Sequence, residues 1–277
     1  MLILVTNDDG IESAGLHAIA RELRRLGRVV MAAPAAVKSA VSHSITLHRP
    51  LRVRKSRKAG LPAYVVDGTP ADCVKLALHE LLPRRPDLVV SGINFGLNTG
   101  HNVLYSGTVA GALEASMHGI TSFAVSLESA RRMDFESAAR LVSPVIRRVF
   151  REYRRTRIVF NINVPAIPAA RIRGIQVCIH EQTPFRDRYV RRRDPRGQSY
   201  YWLKPERTRD LVRRNGAALS DAVAVAGGYI SVSPLKRDLT HHEGVEELRG
   251  ALGISVSTAD SARPRPSDAR RSRAPRL

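Results

Sequence analysis

MLILVTNDDG, residues 1–10, decides the fold: it is an apolar run that stops on two carboxylates. Leu2–Val5, closed by Thr6, shows no polar alternation, which is the pattern of a strand buried on both faces of a parallel sheet. The acidic pair directly behind it, with no basic flank ahead, reads as the end of a first strand rather than as part of a signal peptide. Asn7–Gly10 supplies a turn. Ser13–Leu26 then carries apolar residues at helical spacing through Leu16, Ile19, Ala20 and Leu23. Gly27 closes that helix, and Val29–Ala33 reads as the next strand before Pro34.

The same beat continues along the chain. Strands are expected at Tyr64–Val66, Leu88–Ser91, Phe123–Ser126 and Ile158–Ile162. Helices are expected at Pro70–Leu82, Thr108–His118 (ended by Gly119) and Phe135–Tyr153. Alternation of this kind predicts an α/β fold, doubly wound around a mostly parallel sheet. After Pro165 the rhythm changes. Ile172–Ile179 reads as one more strand and Tyr229–Ser233 as a late one. Arg186–Leu203, with aromatic arms around the turn signal DPRG, reads as an extended β-hairpin arm without a partner in its own neighbourhood. The organisation expected is an α/β core over 1–165, a C-terminal region over 166–260 with an oligomerisation hairpin and a late core strand, and a basic disordered tail over 261–277.

The net charge is +20 and suggests nucleic acid, but its distribution argues otherwise. Residues 1–150 hold 19 basic against 12 acidic side chains, and the remainder 26 against 13. Much of that second excess sits around Arg186–Arg196 and in the Pro-, Ser- and Arg-rich tail ARPRPSDARRSRAPRL, which reads as solvated chain. No apolar run approaches the ~20 residues needed to span a bilayer. Cys73 and Cys178, the only cysteines, lie far apart and outside any CxxC spacing. A disulfide framework or a thiolate zinc site is therefore not expected, and a reducing cytoplasm fits best.

Four segments carry chemistry, and each follows an apolar strand or opens a helix. In an open α/β sheet such segments meet at the carboxyl ends of the strands. Asp8 and Asp9 repel each other and are costly to desolvate unless a cation neutralises them, which points to a hard divalent metal with oxygen ligands. An acidic turn leading into a helix is the plainer alternative. Lys38–Thr46 is rich in hydroxyls and offers a neutral oxygen ligand or phosphate donors, though on its own it is an ordinary Ser/Thr loop. In Ser91–Gly100 the glycines at 92, 96 and 100 permit close backbone approach, and Asn94 and Asn98 offer amide oxygens. Its spacing is that of neither a dinucleotide fingerprint nor a P-loop. Tyr105–Val109 opens a helix, where free backbone N–H groups and hydroxyls suit a phosphate and where Ser106 also suits a simple N-cap. Thr69, Pro70 and Asp72 make a strong helix start and are read as structural.

Together these segments resemble the SurE survival protein family, the metal-dependent 5′/3′-nucleotidases. The stretches that carry the resemblance are ILVTNDDGIESAGLHAI, KSAVSHSITL, VDGTPADCVKLAL, PDLVVSGINFGLNTGHNVLYSGTVAGALEA, NINVP and GGYISVSPL, in family order across residues 1–235. The resemblance implies a Rossmann-like core and an arm used for homodimers or homotetramers. It implies one divalent cation, Mg²⁺ or Mn²⁺, on Asp8, Asp9, Ser39 and Asn94, with Asp8 and Asp9 catalytic. It implies a phosphate pocket lined by Asn98, Ser106, Gly107 and Thr108, and nucleoside monophosphates as substrates. Lys38-Ser39-Ala40 departs from the family's usual Arg-Ser-Gly. A phospho-aspartyl phosphatase is a weaker alternative, because Asn7 stands where that chemistry needs its nucleophilic Asp. A basic RNA-binding protein with a degenerate phosphatase site, contacting nucleic acid through the tail, is the alternative from outside enzymology. The sequence does not rank nucleotides, and it names no general acid for the leaving ribose oxygen.

Overall fold

In the computed structural model the described residues are 1–154, 157–184, 186–206, 208, 210, 212 and 219–254. They form two units, Met1–Arg237 and a second beginning at Asp238. The first unit is built on a nine-stranded sheet. In chain order its strands are β1 (Leu2–Thr6), β2 (Arg28–Pro34), β3 (Val53–Lys58), β4 (Leu61–Val66), β5 (Leu88–Phe95), β6 (Thr121–Leu127), β7 (Val159–Val164), β8 (Ile175–Val177) and β11 (Ile230–Leu235). Their spatial order is β3-β4-β2-β1-β5-β6-β7-β11-β8. The run from β4 to β7 is parallel, while β3 and β11 pair antiparallel with β4 and β7. From β1 the chain winds outward to β2 and β4 on one side and to β5, β6 and β7 on the other. The topological switch therefore falls between β1 and β5, and a ligand crevice is expected at their carboxyl ends.

Helices cover both faces. One face holds α1 (Ala14–Leu23) and α5 (Phe135–Glu152), and the other α2 (Pro70–Leu76) and α4 (Gly107–Met117). The stripe Leu16, Ile19, Ala20 and Leu23 is buried, as its spacing predicts. α5 continues through Pro144, which lies on the exposed side, so the carbonyl that loses its N–H partner can be served by water. α2 is shorter than the predicted Pro70–Leu82: it turns into a π-helical stretch over Ala77–Leu81 and ends at Leu82, held extended ahead of Pro83.

Several elements are absent from the sequence reading. β3 reads VRKSRK, a charged edge strand with little apolar alternation, and it is paired through a turn in which Ala59 and Gly60 both have positive φ. α3 (Asn102–Tyr105) and α6 (Asp221–Ala226) are too short to show a period. α7 (His242–Ala251) belongs to the second unit and is capped by His241, whose Nδ1 accepts from the Gly244 amide at 2.8 Å. β8 is three residues long within the predicted Ile172–Ile179. β9 (Arg188–Arg193) and β10 (Ser199–Lys204) form the predicted hairpin as a separate two-stranded sheet, exposed along its length. The predicted tail, 261–277, lies outside the described residues. Both cysteines are buried and free. Among the described residues no helix is long and apolar enough to cross a membrane.

Candidate active site

The first site segment leaves β1 at the switch point. Asn7 is buried and donates its Nδ2 to the Gly10 carbonyl at 3.0 Å, closing the turn that presents Asp8 and Asp9. It thus serves the turn, in keeping with an amide that cannot be a nucleophile. Asp8 is 4% exposed, and burial pushes its carboxyl up to about 6, with the Asp9 charge adding to the shift and a hydrogen bond from Thr108 opposing it. Asp9 is half-buried and accepts from the Phe95 amide at 3.0 Å; burial raises its carboxyl too. Among the described residues no lysine or arginine pairs with either carboxylate. Two adjacent carboxylates withdrawn from water are a poor arrangement unless a cation completes it.

The third segment reaches the same place through an irregularity in β5. Ser91 pairs with Ala124 but Asn94 with Ser126, so β5 carries one extra residue there as a bulge. Gly92, φ +133°, is required: a Cβ would lie 2.2 Å from the Val125 carbonyl oxygen. The bulge re-aims Asn94 at the strand end, where its Nδ2 donates to the Gly96 carbonyl at 2.8 Å and leaves its Oδ1 as an acceptor. Asn94 and Asp9 are thereby neighbours across the switch point, joined through Phe95.

The fourth segment opens α4. Ser106 accepts from the Val109 amide at 3.0 Å, so it is an N-cap, and the Thr108 hydroxyl donates to Asp8 Oδ1. Gly107 brings the helix end against the carboxylate. A Cβ on it would stand 2.8 Å from the Asp8 Cβ and 3.0 Å from its Oδ2. The second segment joins last. The Lys38 amide donates to the Asp8 carbonyl at 2.7 Å, and the Ser42 amide to the Tyr105 carbonyl at 3.0 Å, so the stretch that carries the exposed Ser39 is tied to the turn after β1 and to the end of α3. Ala40 adopts φ +55°.

Asn98 is placed differently from the others. It is buried, and its Nδ2 donates to Ser126 Oγ at 2.8 Å. Its backbone is clamped: its N–H donates to Asn163 Oδ1 at 2.8 Å, and its carbonyl accepts from Asn161 at 2.8 Å and from Asn163 at 3.2 Å. The Gly100 amide donates to the buried Asp221, whose carboxyl burial also raises. The sequence reading does not single out Asn161, Asn163 or Asp221. The two asparagines carry a signal, since polar residues at period two within a fully buried strand are costly unless they are bonded. Asp221 has none beyond its place in a helix start. Glu114, buried in α4 and bonded to His43, is likewise missed, because a lone acid within a helix has no local mark.

Fold and site together define a doubly wound α/β protein with a paired-carboxylate turn facing a helix N-terminus at the sheet's switch point. The family model described as "Survival protein SurE" matches residues 3–187, and the chain belongs to the SurE family. A protein of Gloeobacter violaceus named 5′-nucleotidase SurE is 45% identical over 257 residues, covering 91% of this chain and 95% of that one. Its namesake from Syntrophobacter fumaroxidans is 43% identical, covering 90% and 98%. The crystal structure of the SurE protein from Aquifex aeolicus superposes with a TM-score of 0.79 at 35% identity, over 91% of this chain and all of that one.

Proposed function

We propose that the protein is a divalent-metal-dependent phosphomonoesterase that hydrolyses nucleoside 5′-monophosphates, with 3′-monophosphates as a second class, to nucleoside and phosphate. The observation that carries this is the pair Asp8 and Asp9: adjacent, withdrawn from water, without a cationic partner among the described residues, and set against the opening of α4. The relatives named 5′-nucleotidase SurE support the reaction class. The donor set suits a hard cation such as Mg²⁺ or Mn²⁺. It is all oxygen, from Asp8, Asp9, the Ser39 hydroxyl and Asn94 Oδ1. Once bound, such an ion supplies charge neutralisation at a phosphoryl group and an acidified water.

The remaining work falls to the chain's own groups. The Gly107 amide, at the start of α4, precedes any intrahelical acceptor and suits a non-bridging oxygen of a phosphate, while the Thr108 amide is turned toward the Asp8 carboxyl. Gly107 has no Cβ, so this end of the helix can sit directly against Asp8. Thr108 commits its hydroxyl to Asp8 and so fixes that carboxylate's rotamer. Asn98, held at its backbone by Asn161 and Asn163, anchors the loop that follows β5. A basic RNA-binding role is not favoured, since the relatives are named as nucleotidases and the arginine-rich tail is its main support. The exposed β9–β10 hairpin supports association of copies into a homodimer or homotetramer, and two buried free thiols suit a reducing cytoplasm.

The test is phosphate release from a panel of nucleoside monophosphates, in EDTA and then with Mg²⁺ or Mn²⁺ restored. Release only with metal, lost by several orders of magnitude in a folded Asp9→Ala variant, is the expected result. A folded protein that releases no phosphate with any divalent cation would overturn the proposal.

A further inference from the structure

Between β2 and β3 the stretch 35–52 runs without helix or strand. Loops longer than ~12–15 residues are uncommon in compact domains and usually functional. Ser39 sits in this loop and is exposed. Two non-glycine residues beside it hold left-handed backbone, Ala40 at φ +55° and Ser42 at φ +51°. Such conformations persist only where the surroundings over-determine them, and this loop's own sequence does not: it supplies no glycine at either position.

The surroundings do. His43 Nε2 lies 2.9 Å from Glu114 Oε2, joining a half-buried ring to a carboxylate 5% exposed two turns into α4. The Thr69 hydroxyl donates to the Ser44 carbonyl at 2.7 Å. Thr46 donates to Asp72 twice, from its amide at 3.0 Å and from its hydroxyl at 2.6 Å, while Asp72 is also the acidic member of the α2 capping box. Glu114 is surrounded by cationic and hydrogen-bonding groups: besides His43 it meets His118 Nε2 at 3.4 Å and Lys75 Nζ at 3.9 Å. α4 is therefore used twice. Its first turn faces Asp8, and Glu114 farther along it grips the loop that carries Ser39.

The geometry points to His43 and Glu114 as positioning residues that fix the Ser39 hydroxyl opposite Asp8 and Asp9 by tying its loop to α4. The inference rests on Asp8, Asp9, Ser39 and Asn94 being the cation's ligands. It adds that the ligand set is assembled by a buried acid outside it. Neither His43 nor Glu114 touches substrate or metal; both act through Ser39.

The experiment measures Mn²⁺ affinity of the full chain by calorimetry and by the spin-resonance signal of free Mn²⁺, without substrate. His43→Ala and Glu114→Ala should each weaken binding by roughly ten-fold, the scale on which groups supporting metal ligands act. Glu114→Gln keeps an acceptor for His43 and should recover most of the loss. In a Ser39→Ala background, His43→Ala should add nothing further, because its effect passes through Ser39. Arg49→Ala, which removes an exposed contact between the same loop and Asp67, should leave affinity unchanged. His43 is in the loop, so its variant keeps the informative arm open if Glu114→Ala fails to fold. Unchanged affinity in a folded His43→Ala protein, or full additivity with Ser39→Ala, overturns the inference. A wild-type chain that binds no Mn²⁺ overturns both readings. Mn²⁺ binding without phosphate release overturns only the nucleotidase reading.

Discussion

Gly107 shows, for a single residue, how the site depends on what is left off a side chain. Gly107→Ala would place a methyl group 2.8 Å from the Asp8 Cβ and 3.2 Å from the Pro70 ring, against a buried acid rather than a flexible chain end. We expect kcat/KM for nucleoside monophosphates to fall by about 10²-fold or more, on the scale by which small misplacements cost catalysis, with a modest drop in Tm. Near-wild-type turnover would show that α4 does not face the substrate. Asp8 gives a pH signature. Its folded-state value of about 6 lies above the ordinary 3.8, so between about pH 4 and 6 the folded metal-free protein binds more proton than the unfolded chain. Its contribution to stability therefore falls as pH rises through that window, by up to about 3 kcal/mol. Unfolding midpoints in EDTA for wild type and Asp8→Asn should converge near pH 4 and diverge toward pH 7 in favour of the variant. Parallel profiles would mean that the Asp8 carboxyl is not held against ionisation by burial.

Among the elements, β5 and α5 break a local rule in two ways. β5 shifts register in a bulge between Ser91 and Asn94, just ahead of the Phe95 amide that donates to Asp9, so the irregularity lies beside the site. α5 holds Pro144 within an 18-residue helix on its exposed side, away from the site. Replacing it with alanine restores an N–H and removes the ring clash, so Pro144→Ala should stabilise the protein by about 1–3 kcal/mol, read as a higher Tm. No gain would mean that the helix is already relaxed around the ring. α2 shows how one side chain can serve two elements: Asp72 caps its own helix and anchors Thr46 of the loop that carries Ser39.

For the molecule as a whole, the hairpin is the feature the core does not explain. An isolated two-stranded ribbon is at best marginally stable in water, and this one exposes Tyr189, Tyr201, Trp202 and Leu203 at 50–69%. On the proposed association of copies through the hairpin, replacing residues 187–205 with a short flexible turn should leave the nine-stranded sheet folded and reduce the mass seen by sedimentation to that of one chain. An unchanged assembly would move the contact between copies elsewhere.

Much of the fold is legible in the sequence. The buried run of β1, the stripe of α1 and the repeated strand–helix beat follow from periodicity, which is a local property of the chain. They set the doubly wound sheet, and hence the crevice in which Asp8, Asp9 and Asn94 meet. The acidic pair, the glycine-spaced loop and the YSGTV turn are legible for the same reason: each is a contiguous segment whose chemistry is set by its neighbours in sequence. β3 escapes because its charged edge needs no apolar alternation. What only the tertiary structure decided are the pairings between segments. His43 meets Glu114 across 71 positions, Asn98 meets Asn163 across 65, and Thr108 meets Asp8 across 100. No spacing rule spans such separations. A histidine–carboxylate contact, or an asparagine holding a distant backbone, exists only once the sheet has brought two strands or a loop and a helix together, and the energy of each depends on the water removed around it.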